Sequence, residues 1–209
     1  LWESQYTAHH RARAPFRQLD QFVGIPNQHF QEQVTAATHD PYWAALQMQP
    51  ADFARLTMPI LTIAGHYDDA QRGSLWFYRQ HLQHGPADAA QRHFVVIGPW
   101  DHAGTRTASA TVGGVRFGDA ALVDLNALNR AWYDFTLRNG PRPPLLAAKN
   151  VAYYLMGAER WCFADRLDQI ATGTRTFYLN STNGQAGDLF HSGSLVVAPP
   201  PQDHPDTFV

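Results

Sequence analysis

The sequence HFVVIGPWDH, residues 93–102, is the most informative stretch of the chain. Its first half, residues 93–97, is a short apolar run typical of a buried β-strand. The turn Gly98-Pro99-Trp100 ends this run and places Asp101 and His102 just beyond it. Functional side chains of open α/β sheets lie at this position, past the carboxyl ends of the strands. The stretch therefore predicts an α/β fold with His102 at a functional edge of the sheet.

A second stretch repeats this arrangement upstream. Residues 59–64, PILTIA, form another short apolar run, and the turn that follows, residues 65–69, reads GHYDD. The chain between Asp68 and His102 has room for one helix and one strand, so both side chains are expected at the same edge of a parallel sheet, on adjacent strands. An acid followed by a histidine is also the chain order of the last two members of an α/β-hydrolase triad. We therefore predict that Asp68 orients the imidazole of His102, which acts as a general base.

Other interpretations of these residues stay open. Asp69 competes with Asp68 for the acid role, and spacing alone also fits a helix-capping aspartate and a surface histidine that do not act together. His66, Asp68, Asp69 and His102 are all metal-ligating residue types. None of them has the i, i+4 spacing of a helical zinc motif. A metal-dependent hydrolase that uses His66, Asp68 and His102 is therefore the alternative catalytic hypothesis.

The nucleophile that such a pair would activate is missing from the sequence. The strand-to-helix turn that carries the catalytic serine of α/β-hydrolases reads Gly-x-Ser-x-Gly. No serine of the chain, nor the single cysteine Cys162, has glycine at both of these positions. We therefore expect the serine to lie outside this chain, both ends of the sequence to be internal to a longer polypeptide, and these 209 residues alone to be inactive.

The pattern of the chain changes near residues 143–147. Before this point, apolar residues recur every three or four positions in residues 75–82 and, most clearly, in residues 121–135, which predicts two helices. After it, short apolar runs alternate with glycine and asparagine turns, which is typical of an antiparallel β-sandwich. These runs are residues 151–156, 176–179 and 195–197.

Composition excludes several classes of partner. The net charge is −2 and charged residues make up 16% of the chain, so no basic surface for nucleic acid is expected. No apolar run approaches the roughly 18 residues of a membrane span. Homo-oligomerisation stays open. A cytoplasmic location is the favoured expectation, and a secretion signal upstream of Leu1 stays open.

Five segments of the sequence resemble, in order, the family of X-Pro dipeptidyl peptidases, cocaine esterase and α-amino-acid ester hydrolases. Two of them look like the family's turns that carry the triad aspartate and the triad histidine. The others are similar to the segment that leaves its helical cap, the helix before its C-terminal domain and the opening of that domain. The segments are His39-Asp40-Pro41-Tyr42-Trp43, Gly65-His66-Tyr67-Asp68, Gly98-Pro99-Trp100-Asp101-His102, Trp132-Tyr133-Asp134-Phe135 and residues 151–161.

The resemblance implies a three-part α/β architecture. Residues 51–143 would form the C-terminal part of an α/β-hydrolase domain, with a partial sheet. Residues 1–50 would be a remnant of the helical cap with its connecting helices, and residues 147–209 the start of an all-β jelly-roll sandwich. The rest of the enzyme, including the nucleophilic serine and an oxyanion tyrosine, would lie upstream.

The resemblance also implies the chemistry. A serine hydrolase of this family would cleave small acyl esters or peptide amides through a Ser-His-Asp triad that includes Asp68 and His102, without metal or organic cofactor. His66 departs from the tryptophan of many members. Ala70 and Gln71 replace the carboxylates with which the amino-acid ester hydrolases hold an α-amino group. A non-catalytic binding or assembly module is the alternative from another functional class, because a fold does not fix a function.

Overall fold

The computed structural model describes residues 2–36, 40–171, 173–181 and 193–200. The chain forms two compact units. The first unit comprises Leu1–Ile60 and Ala70–His93, and the second unit comprises Leu61–Asp69 and Phe94–Val209. Among the described residues, no helix has the length and apolar character needed to cross a bilayer.

The first unit is helical. Its α-helices are α1 (Trp2–Arg11), α2 (Leu19–Phe22), α3 (Gln28–Thr35), α4 (Pro41–Ala45), α5 (Pro50–Phe53), α6 (Gln71–His84) and α7 (Ala89–Arg92). Helix α4 begins as its sequence dictates: the Asp40 carboxylate accepts a hydrogen bond from the Tyr42 amide at 2.9 Å, and Pro41 fills the first helical position, where no amide hydrogen is needed. His39, which opens the first family-like segment, lies outside the described residues.

The second unit contains most of the strands and one long helix. The strands of the molecule are β1 (Ile60–Gly65), β2 (His93–Gly98), β3 (Thr111–Val112), β4 (Val115–Arg116), β5 (Val151–Leu155), β6 (Arg160–Ala164), β7 (Tyr178–Ser181) and β8 (Gly193–Val196). Four of them form a sheet in the order β1-β2-β5-β6, in which β5 runs parallel to β2 and β6 antiparallel to β5. The predicted strands at residues 59–64 and 93–97 are therefore neighbours in one sheet.

Helix α8 (Leu125–Arg138) packs against this sheet through its buried apolar residues Leu125, Leu128 and Trp132. It begins at Asp124, whose carboxylate accepts a hydrogen bond from the Ala127 amide at 2.8 Å, and ends at Asn139 in the left-handed conformation (φ 56°). The periodicity of residues 121–135 thus predicts the helix correctly except at its start: Ala121 ends the 3-10 helix Asp119–Ala121, and residues 122–124 have no regular secondary structure. The buried core comprises Phe94, Val96, Trp100, Leu125, Leu128, Trp132, Leu146 and Ala152.

The structure differs from the prediction at β5. The sequence pattern assigns residues 151–156 to a separate sandwich, whereas β5 extends the α/β sheet, with Val95 of β2 paired to Val151. A short apolar run looks the same in both settings, and the parallel partner lies far upstream, where no local pattern indicates it. Strands β7 and β8 form a two-stranded antiparallel sheet. The jelly roll stays a prediction, since residues 182–192 and 201–209 lie outside the described part of the chain.

Candidate active site

The ends of β1 and β2 are held side by side by backbone hydrogen bonds. The His66 amide donates to the Gly98 carbonyl at 2.8 Å, and the Tyr67 amide donates to the Trp100 carbonyl at 2.9 Å. This pairing continues past the last residue of each strand. The two turns that follow the strands, which carry the sequence-predicted acid and base, are therefore adjacent.

Trp100 anchors the second of these turns. Its indole is fully buried and donates from Nε1 to the Ala121 carbonyl at 2.9 Å. Three glycines leave space for it: an added Cβ would lie 2.0 Å from the Trp100 carbonyl oxygen at Gly65, 2.3 Å from the indole ring at Gly98 and 2.6 Å from the Trp100 Cβ at Gly104. Each contact is far below van der Waals separation, so glycine is required at all three positions.

Asp68 and His102 meet where these two turns come together. His102 Nδ1 lies 3.0 Å from Asp68 Oδ1. The Asp68 side chain is 4% exposed, whereas the His102 side chain is 55% exposed. An ionised carboxylate can only accept a hydrogen bond, so Nδ1 carries the proton and donates a hydrogen bond to Asp68. The neutral imidazole therefore keeps its lone pair on Nε2, which is the arrangement of a general base.

Asp69 is the more distant of the two candidate acids. Its Oδ1 lies 3.9 Å from His102 Nδ1, beyond hydrogen-bond distance, and its side chain is 92% exposed. Between the two aspartates, the buried and closer Asp68 is the one positioned to orient the imidazole.

The turn after β2 is closed by its own side chains. Asp101, next to His102, accepts a hydrogen bond from the Gly104 amide at 2.9 Å, within the 3-10 helix Ala103–Thr105. The Thr105 hydroxyl donates to the His102 carbonyl at 2.7 Å. These bonds fix the backbone around His102, and they engage the Asp101 carboxylate in the turn itself.

Arg106 is the site residue that the sequence analysis missed. Its Nη2 lies 3.2 Å from His102 Nε2. A guanidinium can only donate, and so it completes a chain of hydrogen bonds in which Arg106 donates to Nε2 and Nδ1–H donates to Asp68. The available signal was spacing: residues 102 and 106 stand one helical turn apart, and the turn between them is a 3-10 helix.

His66 does not join this group. Its Nε2 lies 3.0 Å from the Tyr154 carbonyl oxygen, which can only accept, so His66 Nε2–H donates this hydrogen bond. In the described part of the chain, the residues that could together hold a metal ion are Asp68, Asp69 and His102, with one ligand atom of each within 4.8 Å of the others. The ligand set His66, Asp68 and His102 is therefore corrected: Asp69 takes the place of His66.

A carboxylate in the β5–β6 hairpin supports the strand that His66 contacts. Glu159 accepts hydrogen bonds from the amides of Gly118 at 2.7 Å and Gly157 at 2.8 Å, and from the Tyr154 hydroxyl at 2.8 Å. The Gly118 and Tyr154 bonds hold the pKa of Glu159 below its ordinary value. Burial, together with the Glu159 carboxylate, raises the pKa of Tyr154 to about 12. Both groups therefore stay in one ionisation state near neutral pH and serve as structural partners.

A cavity of about 290 Å³ adjoins the turn that carries His102. Arg106 contributes to its wall. Most of its other lining residues are apolar, namely Ala108, Leu122, Val123 and Leu125. The remaining lining residues are polar, namely Thr107, Asp124 and Asn126, and the Asp124 carboxylate accepts a hydrogen bond from the Ala127 amide at 2.8 Å. The cavity thus combines the Arg106 cation and an apolar surface with one carboxylate that already has a hydrogen-bond donor, which leaves Arg106 as the group that can bind the charged end of a ligand with a hydrophobic body.

The first unit contains a buried histidine pair that the sequence analysis also missed. His81 Nδ1 lies 3.0 Å from His93 Nδ1, and His81 Nε2 donates to the Leu56 carbonyl at 3.1 Å. Both rings are fully buried. Burial, assisted by repulsion from His81, lowers the pKa of His93 to about 3. The His93 imidazole is therefore neutral near physiological pH.

Comparisons with known proteins show the fold. No family model matches the sequence, and no curated protein matches it. Among solved structures, a selenomethionine-labelled α-amino acid ester hydrolase is similar with a TM-score of 0.62 at 20% identity, over 88% of this chain and 29% of that one. An aminopeptidase from a marine sediment archaeon, Thaumarchaeota archaeon, is similar with a TM-score of 0.56 at 20% identity, over 83% of this chain and 27% of that one.

Only part of each solved structure has a counterpart in this chain. The chain spans less than a third of the length of either solved structure. At this level of identity, the likeness shows a common mixed α/β fold with a partly parallel sheet, and both similar structures are named as hydrolases.

Proposed function

We propose that this chain supplies the acid and the base of a serine hydrolase that cleaves acyl esters or amides. The observation that carries the proposal is the 3.0 Å hydrogen bond between His102 Nδ1 and the buried Asp68 carboxylate, past the ends of adjacent strands. The likeness of the fold to an ester hydrolase and an aminopeptidase supports the same reaction class. The serine would come from a part of the polypeptide outside this sequence.

The chemistry follows from the two ring nitrogens of His102. As the serine oxygen attacks the substrate carbonyl carbon, Nε2 takes the hydroxyl proton and Asp68 stabilises the imidazolium through Nδ1–H. When the tetrahedral intermediate collapses, Nε2–H gives this proton to the leaving alcohol or amine. Water then repeats the sequence on the acyl-enzyme, so the acid is released and the serine hydroxyl is restored.

The domain proposal accompanies this function. Residues 51–143 would be the C-terminal part of an α/β-hydrolase domain and residues 1–50 a remnant of a helical cap. Residues 147–209 would lead into a jelly roll after β5 and β6, which belong to the α/β sheet. The coverage of the solved structures, in which most of each chain has no counterpart here, supports an enzyme assembled from a longer polypeptide.

Substitutions in the complete polypeptide that contains this chain test the proposal. We expect His102→Ala and Asp68→Asn each to lower kcat for a p-nitrophenyl ester by about 10³- to 10⁴-fold, because either change removes the oriented base. Asp69→Asn is the matched control and should stay within about twofold of wild type, since that carboxylate is exposed and lies 3.9 Å from Nδ1. An active, folded His102→Ala enzyme would overturn the proposal.

A second candidate function is metal-dependent hydrolysis by Asp68, Asp69 and His102, because their ligand atoms lie within 4.8 Å of one another. Carboxylates and imidazole are ligands for Zn²⁺ and similar ions. Elemental analysis of the purified polypeptide, together with activity after chelator treatment, separates the two functions. Stoichiometric metal that is lost in Asp69→Asn along with activity would favour the metal enzyme over the serine hydrolase.

A further inference from the structure

Arg106 occupies a special place beside the candidate base. Its guanidinium approaches His102 Nε2 to 3.2 Å, the same ring nitrogen that delivers a proton to the leaving group in the proposed reaction. We propose that Arg106 is a specificity-determining residue that binds a carboxylate on the leaving-group side of the substrate. This inference rests on the proposed function and names the substrate class that the site prefers.

The backbone holds Arg106 in this place. Residue 106 ends the 3-10 helix Ala103–Thr105, and its amide donates to the Ala103 carbonyl at 3.0 Å. The next amide, that of Thr107, donates to the same carbonyl at 3.1 Å. Together with the hydrogen bond from the Gly104 amide to Asp101, these backbone bonds fix the spacing of residues 102 and 106, so the place of Arg106 does not depend on its side chain alone.

The charge of Arg106 is available to a ligand. Four other arginines of the described chain, Arg55, Arg92, Arg138 and Arg166, are paired with a carboxylate one turn away or closer. No ion pair of Arg106 is found within the part of the chain that the structure describes. Its side chain is exposed and uses one donor on His102, so the rest of the guanidinium fork can still bind a carboxylate by two parallel hydrogen bonds.

The direction of proton transfer assigns this cation to the leaving group. In the proposed reaction Nε2 lies between the serine oxygen and the departing atom, so a group that contacts Nε2 faces the departing part of the substrate. The cavity of about 290 Å³ whose wall includes Arg106 offers apolar contacts from Leu122, Val123 and Leu125. The fitting leaving group is therefore an alcohol or amine with a hydrophobic body and a free carboxylate, such as a hydroxybenzoate or the C-terminal residue of a peptide.

The same contact gives neutral substrates a disadvantage. While Arg106 donates to Nε2, the lone pair that must accept the serine proton is occupied. A carboxylate on the substrate competes for the guanidinium and frees Nε2, whereas a neutral substrate does not. Removal of Arg106 should therefore act in opposite directions on the two kinds of substrate.

The test compares 4-acetoxybenzoate with 4-acetoxybenzamide, which differ only in the charge of an isosteric group. In the complete polypeptide, we expect Arg106→Ala to lower kcat/KM for 4-acetoxybenzoate by about 10- to 100-fold, mainly through KM, because a charge-assisted pair is lost. The value for the benzamide should be unchanged or rise. Arg106→Lys should keep part of the preference, and the exposed Arg130→Ala is the matched control that should leave both values within about twofold.

The outcomes separate this inference from the function on which it rests. If Arg106→Ala changes both substrates by the same factor, or neither, Arg106 does not determine specificity and the inference is overturned. If His102→Ala leaves hydrolysis of the benzamide intact, the serine hydrolase proposal itself fails. Loss of activity in His102→Ala with an unchanged substrate ratio in Arg106→Ala rejects only the present inference.

Discussion

At the scale of single residues, the candidate site consists of three side chains whose donors and acceptors match in one order only. Arg106 can only donate and the Asp68 carboxylate can only accept, so the imidazole of His102 between them must carry its proton on Nδ1. The two partners of this hydrogen bond differ in exposure. The Asp68 side chain is buried, while the His102 side chain is more than half exposed and has Arg106 as the partner of its Nε2.

The buried histidine pair sets the response of the first unit to acid. The pKa of His93 is about 3 in the folded chain, against an ordinary value of 6.5 when unfolded. Between these values the unfolded chain binds a proton that the folded chain does not, so stability is present above pH 6.5 and is lost as the pH falls toward 3. One such group contributes a slope of at most about 1.4 kcal/mol per pH unit.

Urea unfolding of the 209-residue chain between pH 7 and pH 5 measures this effect. The rings of Phe77, Tyr78 and His81 are among the groups in contact with His93. We expect wild type to lose about 2 kcal/mol over this interval from His93. His93→Gln should show a flatter profile, with the exposed His10→Gln as the control. Equal slopes in wild type and His93→Gln would contradict the assignment.

At the scale of elements, the site depends on how two strand ends are joined. The turn after β2 packs the indole of Trp100 into the core and turns His102 back toward β1. A second tryptophan, Trp161 of β6, donates to the Ala120 carbonyl at 2.8 Å, next to the Ala121 carbonyl that Trp100 uses. These two hydrogen bonds connect the 3-10 helix before α8 to the turn after β2 and to β6, so they stabilise the position of this turn.

A methyl group inside the turn should damage both stability and catalysis. At Gly104 an added Cβ would lie 2.6 Å from the Trp100 Cβ, which is not the flexible end of a side chain. We expect Gly104→Ala to cost about 1–3 kcal/mol and to lower kcat/KM of the complete polypeptide at least tenfold, because His102 lies two residues away.

The control is Gly173→Ala, since a Cβ at Gly173 meets no atom within 4 Å. Thermal unfolding and ester hydrolysis of both variants give the comparison. If Gly104→Ala behaves like wild type in both assays, the turn accommodates a methyl group at residue 104, and the argument from the 2.6 Å contact is wrong.

At the scale of the whole molecule, local patterns predict that Asp68 and His102 lie together better than they predict the sheet. Residues 59–64 and 93–97 are recognisable because each is an apolar run that ends in glycine, and the acid and base follow from their places after these strands. The neighbours of a strand are not encoded locally, which is why the parallel pairing of β5 with β2 differs from the predicted sandwich. Arg106 and the His81–His93 pair were missed because contacts across a turn or between a helix and a strand leave no periodic signal.

The organisation of the chain has a consequence for the proposed enzyme. Asp68 and His102 both belong to the second unit, so the acid and base can be brought together by the sheet and turns of this unit alone. The chain spans less than a third of the similar hydrolases, and the proposed serine would be delivered by the rest of the polypeptide. The pairing of Asp68 with His102 should accordingly be measurable without catalysis.

The most direct test is the tautomer of His102 in this chain, read by ¹⁵N-detected NMR of its imidazole at a pH where the ring is neutral. The account predicts a proton on Nδ1 and none on Nε2 in wild type and in Asp69→Asn, and a shifted Nδ1 resonance in Asp68→Asn, where the Nδ1 proton loses its carboxylate acceptor while Arg106 still donates to Nε2. A proton on Nε2 in wild type, or spectra of His102 that Asp68→Asn leaves unchanged, would contradict the claim that Asp68 and His102 form an acid–base pair.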